Sequence, residues 1–342
     1  MSNPIPGPIP GRTPMLRVTL AGRHRETNLW LKLEQENPFG SMKDRVAYSL
    51  LESCFENGRP PRRIIESTSG NLGVALARYA QICGIEFTAV VDPRTPRRLL
   101  RAMRNAGAHV VEVTEADASG GFLLARLAYV RARLAADPHL RWPNQYESDA
   151  NPRAHSRGTA PEILGVLGRA TPVDVFVGVS TGGTMRGFRD FIEAEAPPWR
   201  CVGVDETGSV ALGGEPSVRR LNGIGSSQRS LFLAGAVDDQ GAPPHVLVDA
   251  PAAVAACDWV AHRLGVRIGG SSGAVVAGAL ARIREGRARA DVVAVCADGG
   301  DRYEDTIYSE AWRRRQGWAE VPALDPPDVL ASEFVDDLVA VG

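Results

Sequence analysis

Cysteine is scarce in this sequence, and none of it is paired by spacing. Cys54, Cys83, Cys201, Cys257 and Cys296 are odd in number, scattered, and form no CxxC pair. That argues against a disulfide framework or a zinc site and fits reduced thiols in a cytoplasmic protein, with Cys296 a buried structural residue. Long apolar runs are missing too, since no stretch approaches the roughly 18 residues of a transmembrane helix. The opening MSNPIPGPIPGRTP has neither a basic start nor an apolar core, so it does not read as a secretory signal. Nor is there an excess of charge of one sign. The 39 Lys and Arg against 40 Asp and Glu leave a formal net charge of −1, without the basic footprint that nucleic acid requires. The arginines from Arg94 to Arg104 are spaced like the wet face of a helix. Neither GxGxxG nor GxxxxGK[ST] occurs at a strand-to-helix junction, which disfavours a dinucleotide site and excludes a P-loop.

What the 342 residues do contain is alternation. Short β-branched runs alternate with longer amphipathic ones, the pattern of parallel strands joined by helices. RRIIES, ending near Ser67, reads as a strand, and Asn71 to Cys83 as a helix with Leu72, Ala75, Leu76, Tyr79 and Ala80 on its apolar face. Strands at Phe87 to Asp92 and His109 to Val113, with helices about Arg97 to Ala106 and Gly121 to Ala135, complete one open sheet. Trp142 to His155, rich in Pro, Asn and acidic residues, interrupts the pattern. It then restarts, with strands at Val173 to Val179, Cys201 to Asp205, His245 to Asp249 and Asp291 to Ala297. Helices are expected from Gly183, over Pro251 to Leu264, from a Gly269 to Gly273 turn to about Glu285, and about Tyr303 to Gln316. Thr207 to Gly241 is loop-rich. The expected division is a smaller α/β domain over 40–150, a larger one built from 1–39 and 151–325, and an acidic tail over 326–342, a loose helix or a partner-binding arm.

Three turns are expected at strand-to-helix junctions: Ser67-Thr68-Ser69-Gly70-Asn71, Ser180-Thr181-Gly182-Gly183-Thr184 and Gly269-Gly270-Ser271-Ser272-Gly273. Such turns aim backbone N–H groups and the helix dipole at an anion. Taken singly, each is more often merely a helix cap; three at comparable places point to one anion-binding cleft. A fourth element, Asn37-Pro38-Phe39-Gly40-Ser41-Met42-Lys43-Asp44-Arg45, sets a lysine at the start of an apolar helix. That is the unfavourable end of the dipole for a cation, which lowers the lysine's proton affinity and favours a nucleophilic amine.

These segments together resemble the fold-type-II pyridoxal-phosphate enzymes. Asn37 to Arg45 resembles their NPxGSxKDR lysine motif, Thr68 to Asn71 their asparagine loop, Ser180 to Thr184 their GTGGT phosphate cup, and Gly269 to Gly273 their GISSG turn. Gln145, Asn151-Pro152 and His155 resemble the QFxNPANPxxH stretch of the cysteine synthases. The shared order runs from about position 10 to 320. The resemblance implies two open twisted-sheet α/β domains of the tryptophan synthase β type, with the cofactor in the inter-domain cleft and the smaller domain mobile and substrate-binding. It implies Lys43 as the Schiff-base lysine, Asn71 as donor to the cofactor's 3′-oxygen, and Ser180, Thr181, Gly182, Gly183 and Thr184 as holders of its 5′-phosphate. Thr68, Ser69, Gly70 and Gln145 would bind the α-carboxylate of an amino-acid substrate. It also implies a homodimer; no metal is called for.

Two departures stand out. Ser180 replaces the first glycine of the cup. At the end of the last strand, where related enzymes place a Ser or Thr facing the pyridine nitrogen, this sequence has Asp298-Gly299. Either Asp298 approaches the ring or the nitrogen meets water or backbone. Val202 to Asp205 with Gly208 to Val210, Arg220-Leu221 with Gly223 to Gly225, and Gly300 to Tyr303 with Ile307 to Ser309 resemble the N-(2-amino-2-carboxyethyl)-L-glutamate synthases of 2,3-diaminopropionate and siderophore biosynthesis. That implies β-replacement: elimination from O-phospho-L-serine to an aminoacrylate, then addition of the L-glutamate amine. Arg219 or Arg220 is the candidate partner of the leaving phosphate, a guanidinium matching its geometry; an exposed loop arginine is the alternative. A cysteine synthase acting on O-acetylserine or O-phosphoserine shares every catalytic residue named. A cofactor-binding regulatory paralogue is the reading from another class, against which the intact Lys43, Asn71 and Gln145 argue. A serine/threonine dehydratase is disfavoured by the stretch containing Gln145.

Overall fold

The computed structural model describes residues 5–21, 25–116, 121–234, 244–318, 320–321 and 324–335. It begins with an antiparallel pair of strands, β1 (Met15–Leu20) and β2 (Thr27–Leu33), followed by a 3-10 turn over Glu34–Glu36. The sequence reading placed no element here. The apolar positions of β1 alternate, and β2 is buried nearly throughout, as a strand covered on both faces must be.

The chain forms two compact units, one of Met1–Pro10 with Lys43–Ala154 and one of Gly11–Met42 with His155–Gly342. The first unit contains α1 (Lys43–Ser53), β3 (Arg63–Ser67), α2 (Asn71–Cys83), β4 (Glu86–Val91), α3 (Arg97–Asn105), β5 (His109–Glu112), α4 (Leu123–Ala136), the short β6 (Leu140–Arg141) and α5 (Ala150–Ala154). Its four strands are parallel, in the order β5-β4-β3-β6. Ile65, Val90, Val130 and Leu140 make a core between this sheet and α4. The helix read over Asn71 to Cys83 ends where Gly84 turns left-handed (φ 67°) and its N–H bonds back to Ala80 and Gln81. The helix expected after Lys43 is apolar as read, with Val46, Ala47, Leu50 and Leu51 of α1 buried.

The second unit continues with α6 (Ala160–Leu167), β7 (Val173–Gly178), α7 (Gly183–Glu195), β8 (Trp199–Glu206), β9 (His245–Val248), α8 (Ala250–Leu264), α9 (Gly270–Arg284), β10 (Asp291–Cys296), α10 (Glu310–Arg315) and β11 (Val329–Val335). Its seven-stranded sheet runs β11-β1-β2-β10-β7-β8-β9, parallel from β2 to β9 and antiparallel at β1 and β11. Both faces are covered. Val292, Ala294 and Cys296 pack with α8 and α9, while Val293 and Val295 pack with Phe188 and Phe191 of α7. Hence β10 after Asp291, and β7 apart from the buried Asp174, read as apolar runs.

Three expectations are corrected. The tail after Pro326 holds a strand: β11 bonds to the free edge of β1, which would otherwise lie unpaired. The stretch Gly269 to Gly273 is no strand-to-helix turn, because it follows α8 and Gly270 to Gly273 already form the first turn of α9. Its glycines serve packing, since a β-carbon at Gly273 would overlap the Ala253 carbonyl and the Cys257 thiol of α8. The helix expected over Tyr303 to Gln316 is broken into a 3-10 turn, Gly300–Tyr303, and α10, whose start Ser309 caps by accepting from the Trp312 N–H.

Candidate active site

In the first unit, Thr68, Ser69 and Gly70 span the gap between β3 and α2, and Asn71 is the first residue of α2. The turn is held from both sides. The Thr68 N–H bonds to the Val90 carbonyl of β4 (2.9 Å). A β-carbon at Gly73 would lie 2.7 Å from Thr68 Cγ2, so the helix closes on the threonine only because residue 73 is glycine. Thr68 is buried; Ser69, Gly70 and Asn71 are half-buried. Gln145, distant in sequence, is brought to the same place: its Nε2 donates to the Ser67 carbonyl at 2.8 Å. Asn151 Nδ2 in turn donates to the Gln145 carbonyl (2.7 Å). Lys43 is the half-buried first residue of α1.

The turn and Gln145 meet over Glu66, which the sequence reading passed over. Its carboxylate is fully buried. Oε1 accepts the Ser67 N–H (2.9 Å) and the Trp142 indole N–H (3.1 Å), and Oε2 accepts the Gln145 N–H (3.3 Å). Burial pushes its pKa up to about 7, the hydrogen bonds opposing that shift. A charged residue at the end of the otherwise apolar strand IIES was the available signal.

In the second unit, Ser180 to Thr184 links the end of β7 to the start of α7. Gly182 is left-handed (φ 87°), and a β-carbon there would overlap the Ser230 hydroxyl, so only glycine fits. Ser230 Oγ donates to the Thr181 carbonyl (2.6 Å), Ser180 Oγ to the Gly225 carbonyl (3.1 Å), and the Gly183 N–H to Thr181 Oγ1 (3.3 Å). Behind the turn lies His155, fully buried in a π-helical turn over His155–Thr159. One ring nitrogen is 3.0 Å from Thr159 Oγ1, the other 3.3 Å from Thr184 Oγ1. A wide turn of this kind often marks a functional site. The arrangement is a helix N-terminus with a close-packed glycine and hydroxyls, a cradle that fits a phosphate group.

The segment before Lys43 is fixed within the second unit. Asn37 Nδ2 donates to the Glu34 carbonyl and to Glu34 Oε2, at 2.8 and 3.0 Å. Gly40 is left-handed (φ 85°) and faces the Arg302 guanidinium, which bonds to the Phe39 carbonyl. Ser41 bridges to Asp298, and the Met42 N–H donates to the Ala297 carbonyl at 2.8 Å. The end of β10 and the residue preceding Lys43 are therefore tied together. Asp298 is buried and accepts from the Tyr303 hydroxyl at 2.6 Å. That burial and contact push the tyrosine's pKa well up. Gly299 is buried beside it and bridges to Ile268. Cys296 is fully buried, and burial raises its thiol pKa strongly, so it is no nucleophile.

Arg220 is not drawn into this arrangement. Its side chain is exposed and, among the described residues, its hydrogen bonding is through the backbone N–H, to Glu206 Oε1 (2.6 Å). Arg219 is half-buried, donates to Ser227 Oγ (2.7 Å), and lowers the burial-raised pKa values of Asp205 and Glu206.

Residues 8–298 match the family model described as pyridoxal-phosphate dependent enzyme. Two relatives, from Ralstonia nicotianae and Cupriavidus metallidurans, are each 38% identical over 309 and 313 residues, covering 89% of this chain and 89% of theirs. Both are described as N-(2-amino-2-carboxyethyl)-L-glutamate synthase. Among solved structures, the O-acetylserine dependent cystathionine β-synthase of Helicobacter pylori is 29% identical with a TM-score of 0.77, matching 87% of this chain and 96% of its own. An O-ureido-L-serine synthase is 28% identical with a TM-score of 0.76, over 89% and 96%. With the family match covering residues 8–298 and the relatives matched along 89% of the sequence, the chain belongs to the pyridoxal-phosphate dependent enzymes.

Proposed function

We propose that the chain catalyses β-replacement on O-phospho-L-serine, with the amine of L-glutamate as nucleophile, to give N-(2-amino-2-carboxyethyl)-L-glutamate and inorganic phosphate. The observation that carries this reading is the match along 89% of the chain to two relatives described by that product. The names of the structural neighbours, which include O-acetylserine and O-ureido-L-serine, also concern serines substituted on oxygen.

Pyridoxal phosphate, when bound, supplies the electron sink for the pair left at Cα as its proton departs. Lys43 holds the cofactor in this reading, and its freed amine takes the α-proton and later returns it. The Cβ–O bond to phosphate breaks, a Cβ–N bond to glutamate forms, and the proton lost by the glutamate ammonium balances the one the departing phosphate takes up as hydrogen phosphate. Ser180, Thr181, Gly182, Gly183 and Thr184 hold the cofactor's phosphate, and Asn71 its 3′-oxygen. Asp298, beside Gly299, is assigned to the pyridine nitrogen. Thr68, Ser69, Gly70 and Gln145 bind the α-carboxylate, so the smaller domain takes the amino acid and the larger one the cofactor's phosphate. The donor's phosphate is assigned to Arg219 or Arg220, of which Arg219 is the half-buried one. The active form is proposed as a cytoplasmic homodimer. Five free cysteines support a reducing compartment, and no helix among the described residues is long and apolar enough to cross a membrane.

The test is to supply the purified holoenzyme with O-phospho-L-serine and either L-glutamate or sulfide, measuring phosphate release and identifying the product by mass. Glutamate-dependent formation of the N-substituted glutamate is expected. Cysteine formation with sulfide and no product with glutamate would make it a cysteine synthase. Turnover with neither would favour a regulatory role.

A further inference from the structure

Glu66 is a fully buried carboxyl bonded to Ser67, which precedes the Thr68–Gly70 turn, and to Gln145, yet it makes no ion pair among the described residues. A buried carboxylate without a cation is costly, so its place calls for an explanation. Its shortest hydrogen bonds supply one, with the Asn144 backbone also turned to the carboxyl. They come from two separate stretches of chain, the Ser67 N–H at the end of β3 and the Trp142 and Gln145 N–H groups of the loop after β6. The Gln145 side chain then crosses back to the Ser67 carbonyl at 2.8 Å. The two stretches are closed on each other through Glu66 and Gln145, and nothing else in this set carries charge.

We propose that Glu66 is a positioning residue for the amino-acid substrate: its carboxylate latches the Trp142–Gln145 loop to the end of β3 and so fixes Gln145 against the Thr68–Gly70 turn. The inference rests on assigning Thr68, Ser69 and Gln145 to the substrate's α-carboxylate, as above. Glu66 touches neither substrate nor cofactor in this scheme; it acts through Gln145 and Ser67.

The latch needs the ionised form. Oε1 is occupied by two donors, so a proton added to the carboxyl goes to Oε2, which holds the longest of the three bonds. A hydroxyl at Oε2 is a weaker acceptor for the Gln145 N–H than the carboxylate oxygen, and its own proton competes for the same side. Acid therefore loosens the Gln145 backbone more than Ser67 and Trp142. The charge sits where burial brings its protonation into the neutral range. The other ionisable groups around it are Cys54 at the end of α1, Arg141 of β6, Tyr146 in the same loop and, beyond Tyr146, the pair Arg126–Asp92 (3.3 Å). Burial holds the Cys54 thiol up at about 11 and raises the Tyr146 phenol, so neither competes with Glu66 for a proton near pH 7.

The test compares the wild-type holoenzyme with Glu66→Gln, which keeps the shape but not the charge, and with Trp142→Phe, which removes one donor. With O-phospho-L-serine, E66Q is expected to raise KM about tenfold at pH 8 while kcat changes by less than about threefold, the size of one lost hydrogen bond to a charged group. Cofactor content should be unchanged. Wild-type KM should climb as pH falls from 8 to 6 by more than the donor's own phosphate titration explains, and E66Q should show only the donor's part. W142F should raise KM less than E66Q and keep the wild-type pH profile. Equal KM values with superimposable pH profiles for wild type and E66Q would overturn the proposal. Amide hydrogen exchange over residues 142–148, corrected for intrinsic rates, reads the latch without any substrate. Exchange faster at pH 6 than at pH 8 in wild type, and fast at both in E66Q, supports it; identical protection in all four cases overturns it. If wild type fails to turn over O-phospho-L-serine, the assigned donor is wrong, and the exchange result alone then decides whether the latch exists.

Discussion

The two strand-to-helix turns look alike in sequence but are supported in opposite ways. The turn between β3 and α2 rests on a buried ionisable group, the Glu66 carboxylate, which three N–H donors hold. The turn between β7 and α7 rests on hydroxyls, a histidine ring and the shape of a left-handed glycine. Charge support can be tuned by protonation; shape support cannot. The same grammar of a strand, small residues and a helix thus yields one turn backed by a buried carboxylate and one backed mainly by shape and neutral hydroxyls.

Alanine at the middle glycines should separate them most sharply. At Gly182 the left-handed backbone (φ 87°) and the overlap with Ser230, together with a Leu233 Cγ 3.1 Å from the new β-carbon, strain any side chain. Gly182→Ala is expected to cost roughly 2–4 kcal/mol, strain and overpacking adding. At Gly70 the backbone is extended (φ −147°) and no atom lies within 4 Å of a β-carbon. Gly70→Ala should change stability by less than about 0.5 kcal/mol. Urea unfolding of both apo-proteins measures this, and comparable losses at the two sites would end the distinction.

Protonation should separate them next. Glu66 titrates at about 7 in the fold against an ordinary 4.5, a difference of about 3 kcal/mol. Because the folded pKa is the higher one, the folded state binds the proton more tightly than the unfolded chain. Stability is therefore favoured below pH 4.5 and falls as pH rises through about 7. Unfolding free energies of wild type and E66Q, measured between pH 4.5 and 8, should diverge across that window, with wild type losing ground as pH increases. Parallel curves would show that Glu66 is not the group that titrates. The carboxylate thus lowers stability in the form that holds Gln145, a trade expected where a fold keeps a charged group for function.

Much of this was legible in the residues, and the failures share a cause. The helix over Asn71 to Cys83 could be read because apolar period and a terminal glycine agree. Ser180 to Thr184 and Lys43 could be placed at helix starts because glycines, hydroxyls and an apolar period are local signals. Strand β11 was not, since its pairing with β1 joins residues more than 300 positions apart and the segment is mostly exposed. Gly269 to Gly273 was not read as the first turn of a helix, because its glycines answer to distant neighbours: Asp298 and Tyr303 at Gly269, Ala253 and Cys257 of α8 at Gly273. Glu66 and Ser230 were missed for the same reason. Each acts through partners far along the chain: Gln145 is 79 residues from Glu66, and Thr181 is 49 from Ser230.

The histidine tests whether the shape-supported turn has a polar element of its own. His155→Phe fills the same buried space but removes the ring nitrogens to which Thr159 and Thr184 bond. Two buried hydroxyls then lose a partner, which costs about 1–3 kcal/mol. If Thr184 helps hold the cofactor's phosphate, apo-protein titrated with pyridoxal phosphate should bind about tenfold more weakly, with KM for the amino acid unchanged. Full cofactor affinity in H155F would mean that the backbone N–H groups and glycines hold the phosphate without the threonine.

The smallest effect belongs to Ser180, where this chain departs from the glycine that begins the cup in the enzymes it resembles. Its hydroxyl donates to the Gly225 carbonyl at 3.1 Å, and the Gly225 N–H donates back to the Val179 carbonyl at 2.8 Å, so the serine adds one bond to a loop already tied by the backbone. Ser180→Gly should therefore cost about 1 kcal/mol or less from the lost bond, with a further few tenths from glycine's freedom in the unfolded chain. A thermal melt shift of a few degrees is expected, with cofactor affinity preserved. A loss of several kcal/mol, or of the cofactor, would show that the loop through Gly225 is what keeps the cup open. The turn above α7 would then depend on one side-chain bond as closely as its counterpart above α2 depends on Glu66.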